Sequence, residues 1–63
     1  MFIKVHDYED GEPTYINTDH ITEICVENGL TEITVIEDSY YNVKESIDDI
    51  MKIIGYFKVA NDK

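Results

Sequence analysis

The sequence predicts an α+β fold: a small antiparallel β-meander of about five strands followed by one C-terminal α-helix packed on the sheet. Three observations carry this expectation. Apolar and polar residues alternate in short runs between Phe2 and Lys44, an Asn28-Gly29 pair separates two of those runs, and the apolar residues change to helical spacing after Ser46.

The first run, Phe2 to Tyr8, sets Phe2, Lys4, His6 and Tyr8 on one side of a strand and Ile3, Val5 and Asp7 on the other. Asp10-Gly11-Glu12-Pro13 then supplies turn chemistry, and Thr14 to Asn17 resumes as a short strand, so a β-hairpin is expected. Asn17-Thr18-Asp19-His20 is a second polar break, where Asn17 or Asp19 can accept a hydrogen bond from a backbone amide two or three residues ahead. Ile21, Ile24 and Val26 do not alternate strictly, which calls for a short helical turn or a bulge around Thr22-Glu23.

Glu27-Asn28-Gly29-Leu30 holds the pair favoured in a type I′ hairpin turn, whose two central residues both need positive φ. Thr31 to Glu37 follows as a β-branched strand with Ile33 and Val35 on one face and Thr34 and Ile36 on the other. Glu37-Asp38-Ser39 closes it as a turn, and Tyr40 to Lys44 forms the last strand with Tyr41 and Val43 on one face. In the helix, Ser46 is placed to cap the amide of Asp49, and Asp48 and Asp49 complement the dipole at its N-terminus. Ile47, Ile50, Met51, Ile54 and Phe57 make an apolar stripe that should seal the core. Gly55 weakens continuation of the helix. Residues 1–58 are therefore expected as one β-rich domain with a C-terminal helix, and 59–63 as a frayed tail.

A chain of 63 residues buries only about 60% of the surface its unfolded form exposes, so the core must be thin and assembly into a homo-oligomer would relieve the deficit. A single cysteine, Cys25, rules out an intrachain disulfide scaffold and a cysteine-rich zinc site, and is read as a small buried or half-buried hydrophobe in a strand. No basic leader and no long apolar run precedes the first strand, which points to a cytoplasmic protein with no membrane insertion. Fourteen acidic residues against five lysines and no arginine give a formal charge of −9, which repels phosphate backbones and anionic headgroups. Direct nucleic-acid binding is not expected. The same charge suits a basic protein partner, although an acidic surface also serves solubility alone.

No residue set matches a catalytic, cofactor or metal pattern. Asp7, Glu9, Asp10 and Glu12 surround Gly11 but lack the spacing and the closing glutamate of a calcium loop, so they read as a solvated hairpin tip. His6, His20 and Cys25 offer zinc-competent atoms at spacings that match no standard site. Cys25 or Ser39 as a nucleophile would need a positioned base and an oxyanion site, which so short a chain can hardly enclose. Asp48 and Asp49 are adjacent on the helix and point in different directions. A non-enzymatic protein is expected, with Ile53 and Tyr56, off the helical core stripe, and the tyrosines Tyr40 and Tyr8 as its partner-binding residues.

The order of three elements, Asn17-Thr18-Asp19-His20-Ile21, Ile33-Thr34-Val35 and Tyr41-Asn42-Val43-Lys44-Glu45-Ser46, resembles the small flagellar and swarming motility proteins of the FlbD/SwrD family. The resemblance runs from about Phe2 to about Ile54 and implies a small cytoplasmic accessory protein, associated with flagellar gene clusters and motor power and not known as an enzyme. The chain departs from that family in lacking arginine and in placing Glu37-Asp38-Ser39 where a glycine-containing turn is usual. The leading expectation is a protein–protein interaction module of a bacterial or phage chain. The alternative is a phage or mobile-element inhibitor of a host defence protein, acting by acidic mimicry of DNA or by ligand sequestration. A strand-swapped regulator similar to the carbon storage regulator family is a third reading, but its RNA binding needs a basic surface that this chain lacks.

Overall fold

A computed structural model describes residues 1–55 of the chain; the expected Phe57 contact, the Tyr56 site and the 59–63 tail lie outside the described residues. The expected α+β order is present, with five antiparallel strands followed by a helix. The strands are β1 (Phe2–His6), β2 (Pro13–Asn17), β3 (Ile21–Glu27), β4 (Leu30–Val35) and β5 (Ser39–Val43), and the helix is α1 (Ile47–Ile54). They divide into a two-stranded sheet, β1-β2, and a three-stranded sheet, β3-β4-β5. A single bridge between Asp7 and Val43 joins the two. Around it the Lys44 amide donates to the His6 carbonyl and the Tyr8 amide donates to the Asn42 carbonyl, both at 2.9 Å. The end of β1 thus lies against β5.

Each connection follows from its residues. At the first hairpin, the Asp7 carboxylate accepts from the amides of Glu9 (3.0 Å) and Asp10 (3.2 Å), and Asp10 accepts from the amide of Glu12 (2.9 Å). Asn17 accepts from the amide of Asp19 at 3.0 Å and starts a short 3-10 turn over Thr18–His20. The pairing of β3 with β4 then shifts register between Ile21 and Glu23, so of the two expected irregularities, a short helical turn or a bulge, the fold takes the bulge. Asn28 and Gly29 have φ of 54° and 80°, so the β3–β4 connection takes the two left-handed residues of a type I′ turn.

The β4–β5 connection departs from expectation. β4 ends at Val35 rather than Glu37, and Ile36–Asp38 forms a tight turn in which Glu37 and Asp38 also have positive φ, 67° and 63°. Neither residue is glycine, so each carries the steric cost that L-residues meet in this region. The helix begins with a reciprocal cap: Ser46 Oγ accepts from the Asp49 amide at 3.0 Å, and Asp49 Oδ2 accepts from the Ser46 amide at 3.3 Å. Gly55, at φ 83°, ends it in the left-handed conformation.

The core is formed by Ile3, Val5, Ile16, Ile33, Val43 and Ile50, with Ile21, Ile24, Val35 and Ile54 packed partly buried against it. Strand alternation delivers Ile3 and Val5 from β1, Ile16 from β2, Ile33 from β4 and Val43 from β5 to one interior, and α1 closes it with Ile50. Among the described residues, every buried side-chain nitrogen or oxygen has a hydrogen-bond partner, so this thin core carries no unmet polar cost.

Candidate interaction surface

Because Ile33 and Val43 point inward, strand alternation turns Glu32 and Asn42 outward, and the cross-strand pairs Cys25–Glu32–Asn42 and Glu23–Thr34–Tyr40 line up across the three-stranded sheet. Tyr40 is 59% exposed on this face and Tyr8, just past the end of β1, is 46% exposed. The bond from the Tyr8 amide to the Asn42 carbonyl brings the two tyrosines to one groove, which Asp7, Glu9, Leu30 and Asn42 also line. The groove holds about 310 Å³. That is at the lower edge of the roughly 300–1,000 Å³ of enclosed small-molecule sites, and it opens to solvent. A second groove, lined by Glu27, Glu32, Leu30, Tyr40 and Asn42 among others, shares its apolar middle with the first. Lys44 Nζ stands 5.5 Å from the centre of the Tyr8 ring, a cation over an aromatic face.

Of the four residues singled out from the sequence, Tyr8 and Tyr40 come together. Ile53 is exposed on α1 but does not line the groove, and Tyr56 lies outside the described residues. Phe2 and Tyr15, 65% and 61% exposed, were not singled out and line a separate groove with His20, Val35 and Tyr41. Their exposure is readable from alternation: with Ile3 and Val5 inside, Phe2 must face out, and the pairing of Lys4 with Tyr15 sets Tyr15 on the same outer side. A fourth, mainly apolar groove between α1 and β3 is lined by Thr18, Ile21, Ile24, Met51 and Ile54.

Donor atoms of Cys25, Glu27 and Glu32 lie within 4.8 Å of one another, the one such group of metal-competent side chains among the described residues. The sequence-level grouping of Cys25 with His6 and His20 is not what the fold assembles. Burial raises the Cys25 pKa, and the negative charges of Glu23, Glu32 and Glu27 raise it further. The protonated thiol is favoured there, which is the opposite of what nucleophilic attack requires. The acidic hairpin tip spends its Asp7 and Asp10 carboxylates on its own backbone amides.

His6 is tied instead to Glu45. Glu45 Oε1 accepts from the His6 amide at 2.9 Å, and Oε2 lies 2.6 Å from His6 Nδ1. Glu45 is only 18% exposed. Burial alone would raise its pKa, but the side-chain and backbone hydrogen bonds from His6 outweigh it and leave the pKa lowered. This clamp pins the segment entering α1 to the end of β1. No local pattern announces it, because the two residues are 39 positions apart. The carboxylate is committed to His6 on both oxygens.

No helix among the described residues is long and apolar enough to cross a membrane. Comparison with known proteins finds no matching family model, curated protein or solved structure.

Proposed function

We propose that this chain is a small acidic protein–protein interaction module, a binder rather than a catalyst, working through the outward face that carries Tyr8 and Tyr40. The observation that supports it is the imbalance of apolar surface. Among the described residues six hydrophobic side chains are buried, whereas nine large ones are exposed, five of them aromatic: Phe2, Tyr8, Tyr15, Tyr40 and Tyr41. Single exposed hydrophobes are ordinary, but aromatics gathered along shared grooves mark recognition surfaces. The order of sequence elements shared with the FlbD/SwrD motility proteins supports an accessory role of that kind, with a cytoplasmic protein as the partner. The small core and the same exposed set also favour a second copy of the chain as one partner.

Affinity capture with the intact chain tests the proposal. The native protein should retain a discrete protein, and the Tyr8→Ala/Tyr40→Ala variant should lose it while keeping a native circular dichroism spectrum. Retention of the same proteins by both, or by neither, contradicts it. Sedimentation velocity across a concentration series separately reads self-association: a rising sedimentation coefficient is expected, and a constant monomer value removes the second-copy reading.

A further inference from the structure

We propose that the Tyr8–Tyr40 face docks an extended segment of a protein partner that carries arginine or lysine at both ends of a short apolar stretch. The inference rests on the interaction-module reading and specifies the chemistry of its partner. The two grooves on this face share Leu30, Tyr40 and Asn42, which makes them one continuous surface. Its middle combines the Leu30 side chain and the Tyr40 ring with the polar Asn42 amide. Its ends are acidic, with Asp7 and Glu9 beside Tyr8 at one end and Glu27 and Glu32 at the other. Among the described residues, none of the lining side chains is cationic.

Charge complementarity selects the occupant. Asp7 is engaged by the amides of Glu9 and Asp10, so among the described residues Glu9 is the carboxylate at that end whose side chain makes no hydrogen bond. At the other end, the Glu27 and Glu32 carboxylates and the Cys25 thiol lie within 4.8 Å of one another, which sets two negative charges side by side at this corner. A partner's guanidinium placed there would offset that repulsion and pair with carboxylates in a forked geometry. The middle of the surface is suited to a cation as well as to an apolar side chain. Lys44 already stands over the Tyr8 ring, whereas among the described residues no cation is placed over Tyr40, which leaves its 59%-exposed ring for a partner. Anionic partners meet the same potential with the opposite sign, so nucleic acid and acidic peptides are excluded from this face.

Fluorescence anisotropy of the intact chain with a labelled peptide, two arginines at each end and leucines between them, tests the proposal. Its charge-reversed counterpart, glutamates at the ends, is the comparison probe. The arginine peptide should bind and the glutamate peptide should not, with binding weakened at high salt. Tyr40→Ala should weaken binding by about tenfold, as truncating an aromatic anchor does. Glu27→Gln/Glu32→Gln should weaken it by about tenfold, whereas Glu12→Gln/Asp19→Asn, which removes the same charge elsewhere, should change it less than about threefold. Circular dichroism and thermal melting of each variant verify the fold. No binding of the arginine peptide, or equal weakening by the two charge-removing pairs, overturns the proposal. If the peptide fails while proteins captured by the chain still depend on Tyr8 and Tyr40, the basic occupant is wrong and the interaction-module reading stands.

Discussion

The two faces of the β3-β4-β5 sheet are written by alternate residues of the same strands, yet they hold opposite chemistry. On β4, Thr31 and Ile33 are buried, Ile33 completely, while Glu32 and Thr34 between and beyond them face outward. On β5, Val43 is buried and Tyr40 is 59% exposed. On the inward face Ile33 and Val43 meet Ile3, Val5, Ile16 and Ile50 in one cluster, while Tyr41, paired with Ile33, reaches its margin and is 39% exposed. The outward face offers aromatic rings and carboxylates with few internal partners. The pleat thus separates the face that carries stability from the face proposed for recognition, so substitutions one residue apart should have effects of different kinds.

The sharpest break is expected at Ile33. Ile33→Ala removes a fully buried side chain and should cost about 2–5 kcal/mol, enough to unfold much of so small a domain, as a denaturant titration would read. Tyr40→Ala, on the other face of the neighbouring strand, should alter stability by no more than about 0.5 kcal/mol in the same titration. Equal losses at the two positions would erase the distinction between faces.

The next effect concerns how the helix is held over the inward face. Ser46→Ala deletes the oxygen that accepts from the Asp49 amide and should cost about 1 kcal/mol, measured by thermal or denaturant unfolding. Restoring the cap with Ser46→Asp should recover most of the loss, whereas Ser46→Gly should recover only part of it.

A smaller effect, of opposite sign, is expected at the turn between β4 and β5. Asn28-Gly29 and Glu37-Asp38 both adopt paired left-handed conformations, but only the first uses residues suited to them. Replacing the second pair by Glu37→Asn and Asp38→Gly should raise stability by about 0.5–1 kcal/mol for each change. No gain, or a loss, would show that the Glu37 and Asp38 side chains make stabilising contacts that offset the backbone cost.

The smallest effect is the pH dependence of the His6–Glu45 clamp. Because the folded pKa of Glu45 is lowered, the unfolded chain takes up this proton first as pH falls. The carboxylate's contribution is therefore complete above its ordinary unfolded value and disappears as pH drops through the lower folded value. Glu45→Gln should lower the melting temperature slightly near neutral pH and flatten the acid limb of the stability curve. An acid limb identical to that of the native protein would contradict the assignment.

Much of this organisation is legible in the sequence because it depends on neighbours. The Asn28-Gly29 turn, the Asn17 turn, the bulge at Ile21–Glu23 and the Ser46–Asp49 cap are each decided within a few residues, and each is found where the pattern sets it. What the pattern does not contain is the choice among distant contacts. The division into two sheets depends on the Asp7–Val43 bridge, and the His6–Glu45 clamp joins residues 39 positions apart. The β-branched run through Ile36 predicts a strand continuing to Glu37. In the fold Ile36 is 46% exposed, and the chain turns directly after Val35 despite the unfavourable φ at Glu37 and Asp38. At the surface, Tyr8 and Tyr40 are both singled out from sequence, but their meeting in one groove follows from the bond between Tyr8 and Asn42 across the sheets.

We propose that the Tyr8–Tyr40 face serves recognition and contributes little to folding. The most direct measurement compares the native chain with Tyr8→Ala/Tyr40→Ala for both thermal midpoint and retention of the captured partner. The account predicts a midpoint within a few degrees of native together with loss of the partner. A partner still retained, or a collapse of the midpoint accompanying its loss, would contradict it.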